Sequence, residues 1–244
     1  QRDTTIDVHG AVSVPYIDMT LETLERFGVE VMYNEGDYSQ FFIEGGQQYK
    51  AIDYTIESDW SAAASIMVAA AIAGEVTIRN ISMLSRQADT AICRALERAG
   101  ASIIIEENAI TVAHRELEAF EFDATQCPDL FPALVALAAA AEGVSSIVGI
   151  NRLRGKESDR GEVLRTEYEK LGIDIELDYD EDVMRIVGGV PHAATVDSHD
   201  DHRIAMSMAI AALTADSPIT IEGAECVAKS YPSFFDDLEQ LLVK

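Results

Sequence analysis

The chain repeats itself every 72 residues, and this period constrains its fold more than any local pattern does. A charged amphipathic helix that ends in glycine and leads into a β-branched strand occurs three times, with the glycines at Gly28, Gly100 and Gly172. Each glycine stands where a helix needs a residue in the left-handed conformation to end it. A fixed period of this length indicates one supersecondary unit that recurs along the chain.

A second recurring element is an alanine-rich helix that runs into a strand. Its three copies are predicted at Ser61–Ala73, Asp129–Glu142 and His202–Ala215. Helices so rich in Ala, Met and Ile have almost no polar face, which indicates burial between layers. Because a strand pair follows the glycines, for example 101–105 with 109–113, the unit reads β-α-β-α-β-β. We therefore predict an α/β fold of repeated units, with buried Ala-rich helices against mixed four-stranded sheets.

The repeat also predicts the domain organisation. Residues 1–52 begin at the middle strand of a unit, and the last unit stops after its second helix, so we expect a piece of something longer. Two complete units, roughly 53–114 and 115–190, lie between these ends. We predict that residues 1–56 are the last part of an N-terminal lobe. Residues 57–244 would then form a C-terminal lobe of two complete units and one incomplete unit.

Composition restricts the possible partners. The formal net charge is −25 at pH 7, with only 18 Lys and Arg residues, which argues against nucleic acid and anionic membranes. Cys93, Cys127 and Cys226 are widely spaced, so the sequence predicts a reducing compartment, without a disulfide framework or a zinc site. No apolar run is long enough for a bilayer, no signal pattern opens the sequence, and we expect a cytoplasmic protein.

One short segment concentrates positive charge against this acidic background. Residues 152–160, Arg-Leu-Arg-Gly-Lys-Glu-Ser-Asp-Arg, place four cations and two carboxylates directly before a helical run. Cations before a helix N-terminus form an anion site, because free backbone N–H groups and the helix dipole act in the same direction. Glu157 is a carboxylate available for proton transfer. The alternative is a solvated, salt-bridged loop without a ligand.

Further candidates lie at other predicted helix starts, in the segments 13–16, 127–129, 200–203 and 228–232. Stacked units would bring onto one face a set of cations and acids: Lys156, Arg160, Arg203, Lys229, Asp129 and Glu157. Such a face suits a substrate with more than one anionic group. Alternatively, Arg160 and Arg203 could only pair with acids that serve as N-caps or first-turn acids, namely Asp129, Asp159, Asp200 and Asp201. Residues 197–202, with two histidines among acids, also match a metal site weakly.

The motifs together resemble the 5-enolpyruvylshikimate-3-phosphate synthase family. Its signature segments are similar to Lys156-Glu-Ser-Asp-Arg160, Asp201-His-Arg203-Ile-Ala-Met206 and Ala228-Lys229-Ser-Tyr-Pro232. Residues 14–20, 57–61 and 128–129 also match, in the family's order. The resemblance runs the full length of the chain and implies one lobe of an enolpyruvyl transferase-like, inside-out α/β barrel. It covers roughly the C-terminal four-sevenths of a full enzyme.

The resemblance implies a reaction in the shikimate pathway, on the route to chorismate and the aromatic amino acids. The carboxyvinyl group of phosphoenolpyruvate would move to the 5-hydroxyl of shikimate 3-phosphate, with release of phosphate and without metal or cofactor. The implied catalytic residues are Asp129 as the base toward the hydroxyl, Glu157 for proton transfers at the methylene carbon, and Lys229. The implied ligands of phosphoenolpyruvate are Arg160, Arg203 and Lys229. Those of shikimate 3-phosphate are Ser13, Tyr16, Asp129, Lys156 and, where some members have an Asn, Arg152.

Two alternatives remain open at this stage. One is a relative of the UDP-N-acetylglucosamine enolpyruvyl transferase, which shares the fold, and the other is a non-catalytic anion-binding lobe. The family's N-terminal half, with a Lys and Arg cluster that contacts both substrates, is absent from this sequence. Because domain closure contributes much of the catalysis in a two-lobed enzyme, we expect the chain alone to be inactive or nearly so. The missing half is then its expected partner.

Overall fold

A computed structural model describes residues 2–242 of the chain, which divide into two compact units. The small unit contains the residues up to Glu57 together with Leu84–Ala88. The large unit contains Ser58–Met83 together with the residues from Asp89 onward. The assignment of residues 1–56 and 57–244 to the two lobes of a larger enzyme stays a prediction. Residues 1, 243 and 244 of those predicted lobes lie outside the described residues.

The small unit is one helix with a three-stranded antiparallel sheet. Its elements are β1 (Thr4–Asp7), α1 (Val14–Arg26), β2 (Met32–Tyr33) and β3 (Gln40–Ile43). The strands lie in the order β1-β3-β2, so the last strand is central. Pro15 stands in the first turn of α1, where its missing N–H has no partner to lose. None of the residues of α1 is buried, although the helix is amphipathic.

The large unit contains the remaining regular elements. In chain order these are α2 (Trp60–Ala73), β4 (Glu75–Arg79), α3 (Ile92–Arg98), β5 (Ser102–Ile105), β6 (Ala109–Ala113), β7 (Glu121–Asp123), α4 (Phe131–Ala139), β8 (Val144–Val148), α5 (Arg160–Lys170), β9 (Ile175–Asp178), β10 (Val183–Val187), β11 (Thr195–Asp197), α6 (His202–Ala211), β12 (Thr220–Glu222) and α7 (Phe234–Leu242). Short 3₁₀ helices include Pro128–Leu130, Ile150–Arg152 and Ala224–Lys229.

The three alanine-rich helices α2, α4 and α6 contact one another at the centre of the large unit. Every residue of α4 is buried, and in α2 burial is continuous from Ala63 to Ile72. A helix that is apolar on all sides must be covered on all sides, and the small alanine side chains let the helices approach closely. The predicted burial of these helices is confirmed. None of the helices within residues 2–242 combines the length and apolar character that a membrane crossing needs.

The sheets confirm the predicted α/β fold class and correct one detail of it. The sheet of the unit near 115–190 has four strands in the order β7-β8-β10-β9, with β7 and β8 parallel and the other pairs antiparallel. The preceding unit has only three strands, β4-β6-β5, so a four-stranded sheet in every unit is wrong. Ile52, Tyr54 and Ile56 alternate as in a strand, yet they are exposed and belong to none of the described sheets.

The repeated glycines have the backbone conformation that the sequence predicts. Gly28, Gly100 and Gly172 have φ angles of 79°, 85° and 79°. Each follows a charged helix, α1, α3 or α5, and the left-handed conformation turns the chain out of the helix toward a strand. The glycines therefore set the direction in which the chain leaves each charged helix and enters the following strand.

Candidate active site

Helices α2, α5 and α6 of the large unit each begin with an aspartate cap, and the caps of α5 and α6 stand beside candidate site residues. The carboxylate of Asp159 accepts the backbone N–H of Glu162 at 3.5 Å, and that of Asp201 accepts the N–H of Arg203 at 3.0 Å. The interpretation of these acids as N-caps is thus confirmed for both. Asp201 has a second role, because the same buried carboxylate also binds the side chain of Arg160.

Arg160, the first residue of α5, is the central cation of the site, and its side chain is only 1% exposed. Its Nε donates to Oδ2 of Asp201 at 2.8 Å, and its Nη1 donates to Oδ1 of Asp129 at 2.8 Å. Its Nη2 donates to Oε2 of Glu157 at 2.6 Å and to Oδ1 of Asp201 at 3.3 Å. Three carboxylates thus surround one guanidinium group. A buried Arg requires such partners, because an unpaired charge away from water is costly.

Asp129 is the acid on which the cations converge. It lies in the 3₁₀ helix Pro128–Leu130, which leads directly into α4. Besides Arg160, it accepts Lys156 Nζ at 3.0 Å, and Arg203 Nη2 lies 3.7 Å from its Oδ2. Burial alone would raise the pKa of Asp129, but the charges of Arg203, Lys156 and Arg160 outweigh it and lower the pKa below its usual range. We refer to Asp129, Lys156, Glu157, Arg160, Asp201 and Arg203 as the Asp129 cluster.

The charges of the Asp129 cluster balance, and its side chains differ widely in their exposure to solvent. It contains three cations and three carboxylates, and the side chain of Asp201 is fully buried while that of Glu157 is 44% exposed. Glu157 is therefore accessible to solvent or a ligand, while its Oε2 accepts a hydrogen bond from the buried Arg160. Such a group can exchange a proton with a ligand and still be held in place.

His202, the first residue of α6, borders the Asp129 cluster and is 7% exposed. Its Nδ1 is buried and, within the described residues, has no hydrogen-bond partner. Burial and the nearby charge of Arg203 lower its pKa below the usual range, and the acids Asp201 and Glu157 compensate only in part. A neutral imidazole with an unused nitrogen beside charged groups is a candidate ligand contact.

Lys229 does not lie where the sequence predicts it. The prediction places it at the start of the last helix, but it ends the 3₁₀ helix Ala224–Lys229, and α7 begins only at Phe234. Its Nζ lies 2.7 Å from the carbonyl oxygen of Asp200 and 2.6 Å from Oδ1 of the same residue. The hydrogen bond to Asp200 raises the pKa of Lys229. The break after Lys229 follows from Pro232, because a residue before proline is disfavoured in helical conformation.

The other predicted site residues occupy separate positions. Arg152 ends the 3₁₀ helix Ile150–Arg152 and is half-buried. Ser13 and Tyr16 belong to the small unit, at the beginning of α1, where Ser13 has a left-handed backbone with a φ of 54°. The structure thus brings five of the predicted residues into contact: Asp129, Lys156, Glu157, Arg160 and Arg203.

Three residues in or beside the Asp129 cluster have no functional role predicted from the sequence. Asp201 and His202 stand inside the Asp-His-Arg segment, and Ser158 lies inside Lys-Glu-Ser-Asp-Arg, where its Oγ donates to Asp201 at 3.0 Å. Their membership of those segments was the available signal. As for the weak metal interpretation of 197–202, the described part of the chain has no group of three His, Cys, Asp or Glu side chains that could hold a metal ion.

The fold is an α/β fold of the enolpyruvyl transferase type. The solved enolpyruvyl transferase NikO from Streptomyces tendae shares this fold, with a TM-score of 0.73, although only 20% of residues are identical. The family model for EPSP synthase (3-phosphoshikimate 1-carboxyvinyltransferase) matches residues 1–238. The chain belongs to the EPSP synthase family.

Individual relatives agree with this assignment. The 3-phosphoshikimate 1-carboxyvinyltransferase of Clostridioides difficile strain 630 is 40% identical over 226 residues, which are 93% of this chain and 51% of the relative. That of Methanosarcina acetivorans is 41% identical over 250 residues, 100% of this chain and 57% of the relative. The solved EPSP synthase from Acinetobacter baumannii has a TM-score of 0.83 at 30% identity, covering 99% of this chain and 57% of that one. The chain spans about half the length of the curated relatives it matches.

Proposed function

We propose that the chain carries the C-terminal part of a 3-phosphoshikimate 1-carboxyvinyltransferase. The whole enzyme would transfer the carboxyvinyl group of phosphoenolpyruvate to the 5-hydroxyl of shikimate 3-phosphate. The observation that carries the proposal is the buried guanidinium group of Arg160, held between Asp201, Asp129 and Glu157. A cation fixed in this way at a helix start is prepared for an anionic ligand, and membership of the EPSP synthase family names the class of ligand.

The cations would hold the phosphate and carboxylate groups of the two substrates. In this proposal Arg160, Arg203 and Lys229 bind phosphoenolpyruvate. Ser13, Tyr16, Asp129, Lys156 and Arg152 bind shikimate 3-phosphate. Arg160 has five N–H donors, and its contacts within the described residues use four of them. One N–H is left for a ligand, and more become available if the exposed Glu157 turns aside.

The acids would move the protons of an addition–elimination reaction. The low pKa of Asp129 keeps it ionised at neutral pH, as a base toward the 5-hydroxyl must be. As the hydroxyl oxygen bonds to C2 of phosphoenolpyruvate, Glu157 would deliver a proton to C3. It would then take a proton back from C3 as phosphate leaves. The cations of the Asp129 cluster and Lys229 would stabilise the negative charge of the tetrahedral intermediate and of the departing phosphate.

The chain alone should turn over slowly or not at all. In the small unit, α1 has no buried residue, and Met32 and Tyr49 are 62% and 71% exposed, which supports a larger lobe around it. The test is phosphate release from phosphoenolpyruvate plus shikimate 3-phosphate, first with the purified chain and then with the N-terminal half of a relative added. We expect release only in the mixture. Turnover by the chain alone, at the rate of a whole relative, would refute the need for the missing half.

The substrate is tested separately by competition. Shikimate 3-phosphate should displace a fluorescent phosphate-bearing probe from the mixture, and UDP-N-acetylglucosamine should not. The reverse result would favour the UDP-sugar transferase. Arg203→Ala should weaken the binding of phosphoenolpyruvate at least about tenfold, the loss expected for one charge-assisted hydrogen-bonding group. The control is Arg185→Ala, because Arg185 lies outside the Asp129 cluster and makes loose surface pairs at 3.7 Å with Glu176 and Asp178. Equal binding by both variants would favour a non-catalytic lobe.

A further inference from the structure

A second buried acid, Glu167, lies outside the Asp129 cluster but in contact with the loop that adjoins it. Glu167 is on α5, two turns beyond Arg160, and its side chain is only 1% exposed. Its carboxylate accepts Lys170 Nζ at 2.7 and 2.9 Å, His199 Nε2 at 2.9 Å and the backbone N–H of Asp197 at 2.9 Å. A buried carboxylate with this many donors is rigidly oriented. Nothing in the reaction itself uses it.

The contacts of Glu167 hold residues 197–201, which we call the His199 loop. Within this loop His199 and Asp200 have left-handed backbones, with φ angles of 52° and 56°. Consecutive left-handed residues other than glycine are unfavourable, so they persist only where the surroundings hold them. Glu167 supplies part of that hold by binding the backbone of Asp197 and the ring of His199. Ser198 adds a contact between its Oγ and the carbonyl oxygen of Gly223 at 3.0 Å.

The far end of the His199 loop carries two groups of the candidate active site. Asp200 holds the ammonium group of Lys229 through its carbonyl oxygen at 2.7 Å and its carboxylate at 2.6 Å. Asp201, the next residue, holds the guanidinium group of Arg160. The strained backbone of the loop therefore sets where the acceptors for both cations stand. A change at Glu167 would be transmitted to Lys229 through Asp200 without any direct contact.

We propose that Glu167 is a positioning residue, whose buried carboxylate fixes the His199 loop and thereby the place of the Lys229 ammonium group. One premise, that Lys229 binds phosphoenolpyruvate, rests on the proposed function. The geometric part, from Glu167 through the loop to Lys229, stands on its own contacts. The two parts need separate measurements.

The geometric part is tested by the acetylation rate of individual lysines with acetic anhydride at pH 8, read by mass spectrometry. Glu167→Gln keeps the size of the side chain but removes its charge. We expect Lys229 to react about threefold faster, the size of effect that loss of an exposed ion pair produces. Lys156 is the internal reference, because a general loosening of the fold would accelerate both lysines. Glu169→Gln, at a 67% exposed position on the same helix, is the matched control.

His199→Asn is the second variant. Asn tolerates a left-handed backbone, so it removes the contact to Glu167 without adding strain. This variant should also raise the acetylation rate of Lys229 relative to that of Lys156. If Glu167→Gln does not fold, His199→Asn alone tests whether the His199 loop positions Lys229. The proposal is overturned if a variant has the control's melting temperature and its ratio of Lys229 to Lys156 acetylation rates equals that of the control.

The functional part is read in the binding of phosphoenolpyruvate to the mixture of the chain with the N-terminal half of a relative. We expect Glu167→Gln to weaken binding about fivefold, and Glu169→Gln to leave it unchanged. If the unsubstituted mixture does not bind phosphoenolpyruvate, the proposed function fails, while the lysine ratios still decide the role of Glu167. Normal binding by Glu167→Gln with an accelerated Lys229 would overturn the claim that the position of this lysine matters for the ligand.

Discussion

Arg160 and Asp201 form an ion pair in which both side chains are withdrawn from solvent, at 1% and 0% exposure, with Nε 2.8 Å from Oδ2. The carboxylate of Asp201 also caps α6, while Arg160 is the first residue of α5. One contact therefore joins the starts of two helices whose first residues are 42 positions apart. Burial would lower the pKa of Arg160 and raise that of Asp201, but their hydrogen bond and the nearby charges more than reverse both effects.

Replacing the guanidinium of Arg160 should cost much stability. Arg160→Lys keeps the charge but loses the fork that reaches Asp201, Asp129 and Glu157 together. We expect the free energy of unfolding to fall by about 3 kcal/mol, as when a buried pair is broken. Urea unfolding can follow the fluorescence of Trp60, which is 1% exposed and is the single Trp of the sequence. The control Arg165→Lys, 40% exposed on the same helix, should change it by less than about 0.5 kcal/mol.

Removing the charge of Asp129 should affect catalysis more than binding. Asp129→Asn takes away the proposed base but leaves the three cations. In the mixture with the N-terminal half, kcat should fall at least about 100-fold, the contribution of a general base. Asp123→Asn is the control, because Asp123 accepts hydrogen bonds from its neighbour Thr125 and is not part of the Asp129 cluster. An unchanged kcat in Asp129→Asn would exclude this residue as the base and leave it as a structural acceptor for the cations.

His202 should make stability depend on pH on the acid side of neutrality. Its pKa is lowered in the folded chain, so between that value and the ordinary value near 6.5 the unfolded chain binds more protons. Stability is thus fully present above about pH 6.5 and is lost as the pH falls toward the folded pKa. Urea unfolding from pH 8 to 5 should show this slope. In His202→Asn, the loss of unfolding free energy between pH 8 and pH 5 should be smaller than in the unsubstituted chain. An identical loss in both proteins would contradict the prediction.

The thiols of the native chain should react slowly. Burial raises the pKa of Cys93 to about 11 and that of Cys127 to about 12, with Glu97 and Asp89 adding to the respective shifts. The thiolate is the reactive form, so both groups are protonated and covered at neutral pH. We expect iodoacetamide at pH 7.5 to alkylate them at least about 100-fold more slowly than in the urea-unfolded chain. Rapid native labelling of Cys127, identified by peptide mapping, would contradict its burial.

The sequence predicted those parts of the fold that are encoded locally. The glycines that end the charged helices and the helices without a polar face are properties of ten or fifteen consecutive residues, and the structure confirms both. The missing fourth strand of the sheet with β4, β6 and β5 was not predictable in this way. Ile52, Tyr54 and Ile56 have the alternation of a strand, but a strand also needs a neighbour, and pairing depends on distant parts of the chain.

The same distinction applies to the site. Lys156, Glu157 and Arg160 lie within one segment, so their proximity is nearly assured by the sequence. The convergence of Arg203 and Asp129 on them required only that the helix starts meet. The pairing of Arg160 with Asp201 and the contact of Glu167 with the His199 loop depend on how α5 lies against α6. The two residues of each contact are 30 to 41 positions apart in the sequence, and no local pattern encodes that arrangement.

The burial of α2 between α4 and α6 has a consequence during synthesis on the ribosome. Its partner α4 begins at Phe131, about 60 residues after α2 ends at Ala73. At the usual rates of translation, roughly 3 to 12 s pass between the emergence of the two helices. Until then α2 can pack on β4, α3 and β6, which emerge earlier, but the faces that α4 and α6 cover in the folded chain stay open. The nascent chain is therefore exposed to aggregation in this interval, and chaperones that bind apolar helices should recognise residues 60–73 before any other part of the large unit.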